Sequence, residues 1–112
     1  IQIIQKNLPQ KTFDVLFCHG ANGEYGHPRH KGVYLAVKQM LEKKELRAKA
    51  VFFFAYQLDK QKKIALPHRG RFRVELSDKE WRAKRNIIKK LYGFGQMSFE
   101  NRSCNKSEVF RN

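Results

Sequence analysis

Cysteine, acidic residues and long apolar runs are all scarce in this sequence, and each scarcity bears on the class of protein that the chain can form. The only two cysteines, Cys18 and Cys104, are far apart and form no CxxC pair, which argues against a disulfide-stapled scaffold. Such sparse cysteine usage favours a reducing, cytoplasmic compartment. No apolar run approaches the roughly 18 to 20 residues that a transmembrane helix needs, so we expect no membrane span.

The shortage of acidic residues leaves the chain strongly basic. The chain has ten Asp and Glu residues and 24 Lys and Arg residues, which gives a formal net charge of +14. Such a balance is typical of proteins that bind anionic polymers. The basic residues are nevertheless spread along the chain, in segments 38–49, 60–63, 69–73, 79–90 and 102–111. We therefore interpret most of them as solvated helix faces and do not expect nucleic-acid binding. A basic α/β module that binds an anionic polymer or an acidic partner stays as the alternative.

The length of 112 residues, 41% of them hydrophobic, is enough for about one small domain. The chain opens on Ile1-Gln2-Ile3-Ile4, with an apolar rhythm already under way. We expect it to be a portion of a longer protein.

Hydrophobic spacing and turn residues predict alternating strands and helices in the first half. A helix ends near Asn7 before Pro9, and a buried strand follows over residues 12–18. A helix over about 28–44 and a second apolar strand over 50–56 complete a strand, helix, strand unit, which predicts a parallel pair.

The second half is predicted to be less regular. Residues 57–66 are polar and lysine-rich and are interpreted as a loop, while the alternation over 71–76 indicates an edge strand. A helix over 79–92 is capped by Ser77 or Asp78, and the chain is expected to be frayed from Ser98. The fold class is thus α/β, with an open, largely parallel sheet and flanking helices.

Two histidines, His27 and His30, lie at the start of the helix that follows the first strand. Ligands of open parallel sheets gather at the carboxyl ends of strands and the amino ends of the helices that follow. Imidazole is a common zinc ligand, but catalytic zinc usually has three protein ligands, and only these two histidines have ligand spacing. Two interpretations stay open at this point: a metal or catalytic pair, or a simple helix cap.

Residues Gly23 to His30, GEYGHPRH, resemble a signature of the LmbE-like and PIG-L de-N-acetylases, commonly written GEYGHPDH; seven of the eight residues agree. The resemblance implies a Rossmann-like α/β fold, with residues 1–97 as the C-terminal portion of such a domain and 98–112 as a polar C-terminal tail. It also implies an upstream segment with an HPDD-type signature that supplies a zinc-binding His and Asp and a general base. No such segment occurs in this sequence.

The resemblance further implies roles for individual residues. His30 matches the histidine that completes the zinc site, although another divalent ion would suit the same ligand. His27 matches a catalytic histidine near the reacting carbonyl, and Tyr25 matches a tyrosine that hydrogen-bonds to the tetrahedral intermediate. His19, Glu24 and Arg29 are candidates for supporting or substrate-binding roles. The implied reaction is metal-assisted removal of acetate from an N-acetylglucosamine-type amide, and we expect this portion alone to be inactive.

Arg29 departs from the signature, which most often has Asp at this position. A guanidinium cannot accept a hydrogen bond, and its fixed positive charge disfavours the protonated form of His27. Two interpretations stay open: a tolerated variation and impaired catalysis.

Overall fold

The computed structural model describes residues 1–112 and contains two sheets and five helical segments. In chain order the elements are α1 (Gln2–Asn7), β1 (Thr12–Cys18), α2 (Gly23–Gly26), α3 (Pro28–Glu42), β2 (Arg47–Phe54), β3 (Tyr56–Asp59), β4 (Ile64–Pro67), β5 (Phe72–Glu75), α4 (Asp78–Lys90), α5 (Phe99–Arg102) and β6 (Ser107–Arg111). None of the helices is long and apolar enough to cross a bilayer.

The larger sheet has four strands in the order β1-β2-β6-β5. Strands β1 and β2 pair in parallel across α3, as the strand, helix, strand unit predicts. Strand β6 is antiparallel to both β2 and β5. The fold is therefore α/β, but the sheet is mixed, and the expectation of a largely parallel sheet is not met. The reason is that β6 returns from the end of the chain and enters the sheet between β2 and β5.

The expectation of a frayed end from Ser98 is wrong. The Ser98 side chain accepts a hydrogen bond from the Asn101 backbone N–H and caps α5, and β6 follows it. Val109, in β6, is only 1% exposed, and Phe110 is buried too. Residues 98–112 are thus part of the folded unit. The assignment of residues 1–97 to a de-N-acetylase-like domain stays a prediction.

The lysine-rich segment expected to be a loop forms the antiparallel hairpin β3–β4 instead. Its turn is closed by the Asp59 carboxylate, which accepts the Lys62 backbone N–H, and Lys63 takes a positive φ of 53°. The helix predicted over 79–92 is confirmed as α4. Ser77 and Glu80 form a reciprocal capping box at its start.

The main hydrophobic core lies between α3 and the β1–β2 pair and contains Cys18, Val37, Met40 and Leu46. The prediction that β1 is a buried strand is only half right. Alternate side chains of a strand point to opposite faces of the sheet, and Val15 and Phe17 are 47% and 55% exposed. Strand β1 is also at an edge of the sheet, since it pairs with β2 alone.

Candidate functional site

The loop between β1 and α3 holds the motif against the neighbouring strand. Gly20 lies so close to β2 that a Cβ added there would be 2.3 Å from the Phe54 carbonyl oxygen. Only glycine fits this approach. Residues His19 to His30 therefore lie at the carboxyl end of β1, as the sequence predicts.

Glu24 joins the two ends of this loop through its carboxylate. Oε1 accepts the Gly20 backbone N–H at 2.7 Å. Oε2 lies 3.0 Å from Nδ1 of His19 and 2.6 Å from Nδ1 of His30. Glu24 is only 8% exposed, so these contacts replace water around a buried carboxylate. One side chain thus connects the strand end to the first turn of α3.

The backbone of Glu24 has an unusual conformation, with φ 62° and ψ −57°. Positive φ is unfavourable for a residue with a Cβ and costs on the order of 1–3 kcal/mol. Gly23, with φ 63°, brings the chain into this turn, and Asn22 Oδ1 accepts the Glu24 backbone N–H at 3.1 Å. The fold therefore holds Glu24 in a strained position that directs its carboxylate to the histidines.

Three imidazole rings form a stack with His30 in the middle. The His19 and His30 ring centroids are 3.9 Å apart, and the ring planes differ by 10°. On the other side His27 lies 4.4 Å from His30 at 24°. The Tyr25 ring packs edge-on against both His27 and His30, at 5.7 and 5.6 Å. The resemblance grouped Tyr25 with His27 and His30, and the three side chains are neighbours in space.

His27 is the N-cap of α3, so the cap interpretation of this histidine is correct as local structure. Its Nδ1 accepts the Arg29 backbone N–H at 3.2 Å. An acceptor nitrogen carries no proton, so in the neutral ring the proton is on Nε2. Capping and chemistry are thus compatible, because the cap leaves an N–H donor on the other side of the ring.

Tyr25 keeps its hydroxyl proton. Burial raises the pKa of Tyr25, and the negative charges of Glu100 and Glu24 raise it further. Its ring also packs against Phe99 at 4.6 Å, a residue of α5. Tyr25 is therefore a hydrogen-bond donor at the edge of the imidazole stack.

Arg29 does not join this group. Its side chain is exposed and makes no ion pair or side-chain hydrogen bond, although its backbone N–H donates to Nδ1 of His27. His30 contacts the other four residues singled out in the sequence, His19, Glu24, Tyr25 and His27.

A cleft of about 540 Å³ opens beside His19, Glu24, Tyr25 and His30; we call it the histidine cleft. Its opposite wall carries an ion pair between Lys84 and Glu108, and the Tyr56 hydroxyl donates to the same carboxylate. Burial, and then the bond to Glu108, raise the pKa of Tyr56. Sequence reasoning missed this wall because its residues come from β3, α4 and β6, which share no local motif.

The donor set partly suits a zinc ion. His19, Glu24 and His30 each have a possible ligand atom within 4.8 Å of those of the other two. The Nδ1 to Oε2 distances of 2.6 and 3.0 Å are those of hydrogen bonds, so N–H bonds occupy the space between these atoms. This leaves Nε2 of His30 as the atom that could hold a metal, in the carboxylate–histidine–metal arrangement common in proteins.

His19 does not readily add a second ligand to the same ion. A metal lies close to the plane of the imidazole that binds it, and the His19 and His30 planes are stacked almost in parallel. The ring nitrogens of His19 and His30 point along separate, nearly parallel planes, so His30 would hold a metal and His19 would not hold the same one. The chain offers one well-oriented ligand, where catalytic zinc commonly takes three from protein.

The chain was compared with protein-family models, with curated protein sequences and with solved structures, and none of the three comparisons found a match.

Proposed function

We propose that this chain is the C-terminal portion of a metal-dependent N-deacetylase that acts on an N-acetylglucosamine-type amide. The observation that supports the proposal is the cluster of His19, Glu24, Tyr25, His27 and His30 at the carboxyl end of β1. All of them except His19 belong to the segment that resembles the de-N-acetylase signature, and their contacts suit the roles that the resemblance implies.

His30 would hold the metal through Nε2, with Glu24 bonded to its Nδ1. When bound, zinc or another divalent ion supplies Lewis-acid polarisation of the amide carbonyl. The remaining protein ligands and the general base would come from the upstream segment that the resemblance implies. This division explains why one side of the site is incomplete in residues 1–112.

His27 and Tyr25 act as hydrogen-bond donors in this proposal. The Nε2 proton of His27 and the hydroxyl of Tyr25 would stabilise negative charge that develops on the amide oxygen. One such donor is worth about 10²- to 10³-fold in kcat. To act as a general acid towards the departing amine, His27 would first take a proton on Nδ1, and this would break its cap on the Arg29 N–H.

The histidine cleft suits an amino sugar in size and composition. Apolar side chains, among them Phe54, Ile88 and Phe99, line it beside the Lys84–Glu108 pair. Pockets for small molecules are mostly apolar, with a few polar groups that fix orientation. A sugar ring would place its C–H face on the aromatic residues and its hydroxyls near the ion pair.

The test restores the upstream coding segment and measures zinc content and acetate release. We expect His30→Ala to lose both zinc and activity, whereas His27→Ala keeps its zinc and loses about 10²- to 10⁴-fold in kcat. His68→Ala is the matched control, because His68 is exposed and lies outside the cleft. Full zinc occupancy and activity in the His30 variant would contradict the assignment.

A second candidate function is a basic module that binds an anionic polymer. The observation that favours it is a cleft of about 580 Å³ on the sheet with an aromatic lining of exposed Phe17, half-buried Phe52 and Phe72, and buried Phe110. The Arg71 guanidinium lies 5.5 Å from the Phe72 ring centroid. Aromatic rings beside basic groups are a common platform for single-stranded nucleic acid.

This candidate is tested by fluorescence anisotropy with a labelled single-stranded RNA at increasing salt. A steep fall in affinity with salt, weakened by Phe17→Ala and unchanged in a His27→Ala/His30→Ala double variant, would support the module. Absence of binding at low salt would eliminate it.

A further inference from the structure

The geometry points to Glu24 as a positioning residue that fixes the tautomers of His19 and His30, so that both rings present an unprotonated Nε2. This inference deepens the proposed function and rests on it for the use of that nitrogen; the tautomers themselves can be tested without metal or substrate.

An ionised carboxylate only accepts hydrogen bonds. Oε2 of Glu24 lies within hydrogen-bond distance of Nδ1 on both His19 and His30, so each of these nitrogens must be the donor. A neutral imidazole has one N–H. With that proton on Nδ1, the lone pair is on Nε2.

The other carboxylate oxygen fixes the orientation. Oε1 accepts the Gly20 backbone N–H, and Gly20 is buried against Phe54. The Glu24 carboxylate therefore cannot turn away from the histidines without leaving a buried backbone N–H unpaired, which is unfavourable. The strained φ of 62° at Glu24 is what brings the carboxylate between these three donors.

His27 provides an internal contrast. Its Nδ1 accepts the Arg29 backbone N–H, so its tautomer is the opposite one, with the proton on Nε2. The stack thus contains a ligand-type histidine, His30, next to a donor-type histidine, His27. Sequence alone cannot distinguish the two, because both are ordinary imidazoles three residues apart.

The experiment uses the metal-free 112-residue chain, labelled with ¹⁵N, in alkaline buffer where imidazole is neutral. Long-range ¹H–¹⁵N correlation spectra identify the tautomer of each ring. We expect His19 and His30 to carry Nδ1–H and His27 to carry Nε2–H. Nε2–H tautomers at His19 and His30 in the unmodified chain would overturn the inference, and this measurement needs no variant.

The isosteric variant Glu24→Gln gives a stronger test. The Gly20 N–H needs an acceptor, so the amide oxygen of the substituted side chain faces Gly20 and its NH₂ group faces the two imidazoles. That group donates where the carboxylate accepted, so His19 and His30 should both change to the Nε2–H tautomer. Unchanged tautomers in a folded variant would contradict the positioning role.

Zinc affinity of the protein with its upstream segment restored, measured by chelator competition, supplies the functional readout. We expect Glu24→Gln to weaken zinc binding by about 10- to 100-fold, which is the usual effect of losing a carboxylate behind a histidine ligand. Glu42→Gln is the control, since Glu42 is exposed at the end of α3 and lies outside the histidine cleft. It should leave both tautomers and affinity unchanged.

The measurements distinguish a failure of the positioning role of Glu24 from a failure of the proposed function. If the tautomers invert in Glu24→Gln but the protein with its upstream segment restored binds no zinc, the orientation by Glu24 is supported and the proposed metal function is overturned. If zinc binds equally well to the restored protein with and without Glu24→Gln, the positioning role is overturned even where acetate release supports the proposed function.

Discussion

At Gly20, the absence of a Cβ atom determines the geometry of the whole site. The loop can carry the Glu24 carboxylate to the histidines only because no Cβ separates Gly20 from the Phe54 carbonyl. The contact connects the carboxyl ends of β1 and β2, the neighbouring parallel strands. The glycine is thus as important for the geometry of the site as the side chains that would do chemistry.

We expect Gly20→Ala to lower the free energy of unfolding by about 1–3 kcal/mol, because its Cβ would meet backbone that cannot easily move. Chemical denaturation measures the effect. Gly32→Ala is the control: Gly32 is inside α3 with open space around it, so alanine should raise stability by about 0.5–1 kcal/mol. Equal effects of the two substitutions would contradict the packing argument.

Cys18 gives a pH-dependent prediction at the same scale. Burial raises the pKa of the Cys18 thiol from 9.0 to about 11, against an opposing hydrogen bond to the His19 backbone. A thiol whose pKa is raised on folding contributes stability that is complete below pH 9.0 and is lost as the pH rises toward 11.

Urea denaturation of the native chain and of Cys18→Ala across that alkaline window checks this. The free energy of unfolding should fall more steeply with pH in the native chain than in the variant. Other groups that titrate there affect both proteins alike, so parallel pH profiles would refute the burial effect.

At the scale of elements, β6 determines how the sheet is assembled. It is the only strand that connects β5 to the rest of the sheet, and its Val109 is fully enclosed. By contrast, Val74 of β5 is 51% exposed. The two valines lie on adjacent strands, so they compare enclosed and exposed positions in one sheet.

Val109→Ala should lower the free energy of unfolding by on the order of 2 kcal/mol, since it removes buried methyl groups and leaves a cavity. Val74→Ala should cost less than about 0.5 kcal/mol. Thermal denaturation followed by circular dichroism measures both. A Val109 variant as stable as the Val74 variant would show that β6 is not an integral strand.

How far the fold could be predicted depends on whether the signal is local. The strand, helix, strand unit and the capping box at Ser77 were predictable, because each depends on spacing within one segment. Strand β6 was not. The segment 107–111 is short and largely polar. The strands with which it pairs, β2 and β5, lie more than thirty residues earlier in the chain. Such pairing leaves no periodic signal in the strand itself.

The candidate site shows the same limit. The motif predicted that His19, Glu24, Tyr25, His27 and His30 belong together, because they lie within one loop and one helix turn. It could not predict that Glu24 bonds to both His19 and His30, since this depends on a positive φ at a non-glycine residue. Nor could it predict the Lys84–Glu108 wall, which three distant segments build.

At the scale of the whole molecule, the surplus of basic charge is only partly compensated. Ion pairs engage Asp14, Glu75, Asp78 and Glu108 with lysine or arginine, and most of these pairs are at the surface. With a formal net charge of +14, most basic side chains have no acidic partner. Mutual repulsion of like charges destabilises the compact state.

We therefore expect added NaCl to raise the thermal midpoint, because salt screens this repulsion more than it weakens the few ion pairs. A gain on the order of 1 kcal/mol would shift the midpoint by roughly 4–8 °C. The double variant Lys60→Gln/Lys62→Gln, in the exposed β3–β4 turn, should respond less. A midpoint that falls with salt would contradict the repulsion argument.

The position of β6 also imposes an order on folding during synthesis. Strands β1 and β2 can pair around α3 as soon as residue 54 is available, and this pair already forms the frame around the histidine loop. Strand β5 is synthesised next but has no partner until β6 appears, because Phe110 pairs with Phe54 on one side and Phe72 on the other. On the ribosome, β5 and the edge of β2 that pairs with β6 therefore stay unpaired until residue 111 has emerged. That interval is when the nascent chain is most exposed to wrong strand pairing.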